Sequence, residues 1–169
     1  MTRLHYVKRA RKHYRKAGIN KGQAYWWYKF AYGPVVRCAR RPRPSQLTRS
    51  EFLGAVYAAQ EAVEDAHTES SAGDVDDQTD FDGFKQPVID ALNEARDTVE
   101  EQRDLCNERA HNMEERFPNG CPTMELLQER AEACETLLDE IDAAVSAVEG
   151  AETADEVEQA VNQVEWSVD

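Results

Sequence analysis

Residues 1–50 contain no Asp and no Glu, although the 169-residue chain has 33 of them. All 33 fall in residues 51–169, beside 6 of the 20 Lys and Arg; the other 14 lie in residues 1–50. The two stretches therefore carry formal charges of +14 and −27 within a net charge of −13. So sharp a division favours a small basic module joined to an acidic one over a single, evenly mixed domain. No apolar run approaches the roughly 20 residues that span a bilayer, and the N-terminus lacks the apolar stretch of a secretory signal. The expectation is a soluble, intracellular protein with no membrane partner. The Arg-rich start is poor in Ser and runs directly into an aromatic segment, unlike an organelle transit peptide.

Other absences narrow the chemistry. The four cysteines, Cys38, Cys106, Cys121 and Cys134, include no CxxC pair, so reduced thiols are expected. A zinc site from Cys106, His111, Cys121 and Cys134 would need a spacing unlike the compact pairs of structural zinc, and no metal is expected. There is no glycine-rich phosphate loop and no serine elbow. His5 and His13 sit among cations without nearby carboxylates, and His67 and His111 sit among solvent-facing acids. With no convergent partners for a histidine, the chain reads as a non-enzyme without a cofactor.

What is present is concentrated. "AYWWYKFAY", residues 24–32, holds 6 of the 14 Phe, Trp and Tyr residues. From Ala24 this reads as a strand, "YGP" as a turn and "VVRCAR" as a returning strand, because aromatic and β-branched residues suit a pleated surface. Alternation puts Trp26, Tyr28, Phe30 and Tyr32 on one face and Tyr25, Trp27 and Lys29 on the other. An isolated hairpin is barely stable in water, so one aromatic face is expected to bury, with Trp26 and Phe30 in its core. The face with Tyr25, Trp27 and Lys29 is left for contact. Residues 3–16, basic with sparse apolar positions, read as an arm or a short helix.

Cations beside exposed rings suit nucleic acid: Lys and Arg hold phosphates by counterion release, while ring faces stack on unpaired bases. A two-stranded ribbon also fits a major groove. The candidate contact residues are Lys8, Arg9, Arg11, Lys12, Arg15, Lys16, Tyr25, Trp27, Lys29, Arg37, Arg40, Arg41 and Arg43.

Pro42 and Pro44 then set an extended connector. Thr48 or Ser50 caps a connecting helix over residues 51–68, with Phe52, Val56, Ala59 and Val63 at helical spacing. Residues 69–86 read as an acidic linker. Asp80, Asp82 and Gly83 match part of a calcium loop, but Gln78 and Ile89 stand where ligands are required. Residues 87–169 read as an acidic helical hairpin with a short C-terminal helix. Val88, Leu92, Ala95, Val99, Gln102, Cys106, Arg109 and Met113 step by fours and threes, as do Leu127, Ala131, Cys134, Leu138, Ile141, Val145 and Val148. Folding the chain back about Gly120 pairs positions whose numbers add to 240, and each seam position from Leu92 onward finds a partner. The fold class is thus mainly α: a coiled-coil-like antiparallel hairpin with flanking helices, plus a small N-terminal basic β-hairpin. Thr123 is expected to cap the second arm and Gly150 to end it. A capping box at Thr153–Glu156 opens a last helix striped with Val157, Val161, Val164 and Val168.

"YWWYKF" followed by "RPRPSQLTRSEFLG", together with "HNME" and "PTMELLQERAEACE", resembles a family of short proteins encoded by tailed bacteriophages and prophages. The relatives carry Gly-Gly where this chain has Gly33-Pro34, and Asn-Met-Pro-Glu where it has Asn112-Met113-Glu114-Glu115. The resemblance implies a phage protein acting in the host bacterial cytoplasm. From the residues themselves, the expected function is nucleic-acid binding through the basic aromatic module, with the helices mediating protein contacts. Two alternatives stand beside it. One is an inhibitor of a host or defence protein, acting through the acidic helices by occlusion or nucleic-acid mimicry. The other is a virion or assembly component. The partners in view are DNA or RNA, a host or phage protein, and another copy of the chain.

Overall fold

In the computed structural model, which describes residues 2–71, 78–114 and 116–168, the chain divides into two compact units at Gly54. The first unit is built on a three-stranded antiparallel sheet: β1 (Leu4–Val7), β2 (Tyr25–Lys29) and β3 (Val35–Cys38), in the order β1-β2-β3. The hairpin β2–β3 is the one expected from the sequence. Its third strand comes from the stretch read as an arm or short helix. Leu4, His5, Tyr6 and Val7 lie opposite Tyr28, Trp27, Trp26 and Tyr25. An aromatic neighbour at each position outweighs the sparse local apolar signal, since cross-strand pairs are what stabilise a sheet. His5 stacks on Trp27 with ring centroids 4.0 Å apart and planes 7° apart, and Tyr6 tilts against Trp26 at 4.8 Å.

After β1 the chain returns through a one-turn 3-10 helix, Arg15–Ala17, closed by Gly18 at φ 64°. Tyr14 bridges to Ile19 across this turn. Glycine adopts the left-handed conformation without steric cost. The connector after β3 is not fully extended as expected: Pro44–Leu47 forms a second 3-10 turn, with proline at its first position where no N–H is required.

The second unit is helical. α1 (Glu51–Ser71) starts at Ser50, whose hydroxyl accepts from Leu53 N–H, and buries Phe52, Val56, Ala59 and Val63. The N-terminal residues of α1 belong to the first unit by this division. α2 (Gln78–Glu114) and α3 (Pro122–Gly150) form the antiparallel hairpin. The acidic linker is correspondingly shorter than expected: residues 69–71 continue α1, residues 78–86 already belong to α2, and residues 72–77 lie outside the described residues. Pro87 stands inside α2. An interior proline costs about 3 kcal/mol. The turns ahead of it are held by burial of Phe84, by its stack on Phe81 one turn back in the same helix, and by Lys85, whose Nζ donates to the carbonyls of Glu149 and Ala151 at the end of α3. Lys85 thereby satisfies carbonyls that a helix terminus leaves without partners.

The arms meet at Arg96–Asp142, where Nε and Oδ1 are 2.8 Å apart, and at Cys106, which lies close enough to perturb Cys134. The seam differs from the expected one in three places. Ala110 is buried in place of Arg109, and Leu137 and Ala144 are buried in place of Leu138 and Val145. An arginine would bring an expensive charge into the interface. In α3 the apolar face is wider than a two-helix seam because the helix packs against both α2 and α4.

α3 begins two residues earlier than the Thr123 cap would place it. Its N-cap is Cys121 and Pro122 occupies the first helical position. α4 (Ala154–Asn162) has the expected capping box: Thr153 Oγ1 accepts from Glu156 N–H, and the Glu156 carboxylate accepts from Thr153 N–H. Only half of the valine stripe is helical. Val164 and Val168 lie beyond α4 yet are buried, and Glu165 N–H donates to Glu140 at 2.7 Å, tying this tail to α3.

Candidate nucleic-acid interface

The pleat sorts the aromatic residues of the sheet. On one face, Tyr25 lies over Ala10 and Ile19 in a small core, with Val7, Tyr14, Ala17 and Trp27 packed around it. Tyr25 is only 7% exposed, and Trp27 is half-buried beneath His5. The assignment of Tyr25 and Trp27 to an open contact face is therefore corrected: the turn at residues 10–19 folds over them, and Tyr25 is closed to a ligand. On the opposite face Tyr28 is buried while Trp26 and Phe30 are half-buried, so Trp26 and Phe30 are not the buried centre expected of them. Tyr6, 52% exposed beside Trp26, makes this the more open aromatic surface of the sheet. Tyr32, 97% exposed, stands in the turn between β2 and β3.

Cations ride on these rings. The Arg41 guanidinium lies 5.8 Å from the Trp26 ring centre, and that of Arg49 lies 4.8 Å from Phe30. Arg37 lies 4.5 Å from the Tyr14 ring and Lys12 5.7 Å from it. Glu51 is the one carboxylate in the sequence of the first unit, so residues 1–50 offer these cations no ion-pair partner. Ring faces supply part of the compensation that carboxylates give elsewhere.

The candidate cations fall into three groups. Lys12, Arg15, Lys16 and Arg37 gather about Tyr14, where the 3-10 turn and β3 border a cleft of about 630 Å³. Arg41 belongs with Trp26. Lys8, Arg9, Arg11, Lys29, Arg40 and Arg43 are exposed elsewhere on the unit.

At the first group, the rings of Tyr25 and Tyr14 tilt against each other with centroids 5.4 Å apart. The neighbouring Tyr25 side chain pulls the Tyr14 hydroxyl below its usual pKa against the effect of burial, and the charges of Arg37 and Lys12 add to the pull. The Tyr14 side chain, with burial, pushes Tyr25 up. The local field thus favours negative charge at Tyr14.

Tyr6 and Tyr14 are functional candidates that the sequence reading passed over. Leu-His-Tyr-Val is an alternating tetrapeptide followed later by a matching aromatic run, which is a usable strand signal for Tyr6. Tyr14 has no local signal; it is placed by the Ile19 bridge and the glycine turn.

In the helical unit, Cys106 and Cys134 are buried, and burial pushes both thiols up, that of Cys134 to about 11. Among the described residues no group of three or more His, Cys, Asp or Glu is placed to hold a metal ion, and no helix is long and apolar enough to cross a membrane. Fold and surface together define a mainly α protein carrying a small, acid-poor, aromatic antiparallel sheet. No protein-family model, curated protein or solved structure matches the chain.

Proposed function

We propose that the first unit binds nucleic acid, preferring single strands, and that the helical unit mediates protein contacts. The observation that carries this reading is the pairing of the exposed Tyr6 ring, set against half-buried Trp26, with a unit whose first 50 residues bring 14 cations and no carboxylate. Bases stack on the Tyr6–Trp26 surface, Arg41 and its neighbours follow the phosphates, and no base-specific hydrogen bond is required. The likeness in "YWWYKF" and "RPRPSQLTRSEFLG" supports a phage protein working in the host cytoplasm. Fluorescence anisotropy of the full chain with labelled single-stranded DNA, single-stranded RNA and duplex DNA at low salt tests the reading. Single strands are expected to bind more tightly than duplex, and Tyr6→Ala to weaken them. Absence of binding to all three would overturn it.

A second reading attaches to the helical unit. Asp97, Glu101, Asp104 and Glu108 on α2, and Glu125, Glu129, Glu132 and Glu135 on α3, are all exposed. Such a face suits an inhibitor that occupies a partner's nucleic-acid channel. Capture of a nucleic-acid-binding host protein by the full chain, released by competing DNA, is its test.

A further inference from the structure

We infer that the cleft between the Arg15–Ala17 turn and β3 is a receptor for a terminal phosphate monoester of a nucleic-acid strand, with Arg37 as its anchor. The inference rests on the nucleic-acid reading above and names a subsite within it.

The cleft, about 630 Å³, is bordered by His13, Tyr14, Arg15, Lys16, Val36 and Arg37, and its size suits a nucleotide-sized group. A second cleft of about 390 Å³ shares His13 and Arg15 and continues past Gly18 to Asn20. Arg37 is the fixed member. It is half-buried on β3 opposite Trp27, and its guanidinium lies over the Tyr14 ring at 4.5 Å. A guanidinium held this way keeps a planar fork of donors pre-oriented, the geometry that recognises phosphate with two parallel hydrogen bonds. Arg15 and Lys16 are exposed at the rim. His13 is steadied by Lys21, whose N–H donates to its Nδ1 at 3.4 Å.

The charge favours a dianion. A phosphate monoester carries about 1.5 to 2 negative charges at neutral pH, against one for an internal diester. Several cations converge here in a stretch whose sequence has no acid: Arg37 and Lys12 flank the Tyr14 ring, and Arg15 and Lys16 border the cleft. A strand end, moreover, enters a cleft that a continuous backbone would only cross.

The test measures affinities of the full chain for one oligonucleotide sequence in three forms: 5′-phosphate, 3′-phosphate and unphosphorylated. A preference of about tenfold for a phosphorylated end is expected, the effect of one charge-assisted contact, and the favoured arm identifies the end. The preference should fall to near unity in Arg37→Lys, which keeps the charge and loses the fork, and should shrink in Tyr14→Phe. Circular dichroism establishes that each variant is folded; should Arg37→Lys unfold, Tyr14→Phe decides. Equal affinity for the three strands, or a preference that persists in both variants, would overturn the inference and leave the broader reading standing. Failure of all three strands to bind would overturn both.

Discussion

Tyr25 and Tyr6 belong to the same small sheet, and what lies over each face gives them opposite roles. Tyr25 covers Ala10 and Ile19, so Tyr25→Ala leaves a cavity and should cost about 3–5 kcal/mol, the range for a large aromatic truncated in a core. Tyr6→Ala removes only a cross-strand partner and should cost under about 1 kcal/mol, while weakening single-strand binding by about 1–3 kcal/mol for each stacked base. Thermal denaturation beside a binding isotherm separates the two. A second residue-scale prediction concerns Cys134. Its folded-state pKa is raised from 9.0 to about 11, so the folded state holds a proton that the unfolded state releases first. That contribution to stability is fully present below about pH 9 and is lost as the pH rises towards 11. Denaturant unfolding of the helical unit should weaken across this window, and less so in Cys134→Val. In the folded protein Cys38 and Cys121, both half-buried, should react with a thiol reagent before Cys106 and Cys134.

At the scale of elements, the periodic signals in the sequence were reliable where one physical cause dominates. The hairpin α2–α3, its turn near Gly120, the end of α3 at Gly150 and the Thr153 capping box all follow from local pattern. Leu137 and Leu138 show where pattern runs out. Both are leucines one step apart, and the choice between them depends on α3 packing against a second helix as well as α2. Leu137→Ala should cost about 2–5 kcal/mol, and Leu138→Ala, half-buried, distinctly less, by denaturant unfolding of the full chain. Thr153→Ala should cost about 1 kcal/mol, whereas Thr123→Ala should stay within about 0.5 kcal/mol because α3 is capped at Cys121. β1 and the first turns of α2 were misread for a common reason. The partners that order them, Trp26 and Trp27 for β1 and the end of α3 for Lys85, are distant in sequence.

For the whole molecule the governing feature is the separation of charge, legible from composition alone. Its meaning for the candidate site was only partly so. The candidate cations are exposed except for half-buried Arg37, and the more open aromatic surface is that of Tyr6 and Trp26, not that of Tyr25 and Trp27. Strand alternation sorts side chains into two faces without saying which one the rest of the chain will cover. The −27 of residues 51–169 repels phosphates, so the full chain is expected to bind more weakly than a fragment ending at Ser71, by an amount that shrinks as salt is added. The central claim is that the first unit holds a strand by its cations. It is tested most directly by the salt dependence of full-chain binding to one single-stranded oligonucleotide. Measurable affinity at low salt is expected, with a linear fall of log K with log salt, of slope about −0.7 for each phosphate contacted, shallower when Arg41 and Arg40 are replaced by Gln. No binding at low salt, or binding indifferent to salt and to those substitutions, would contradict it.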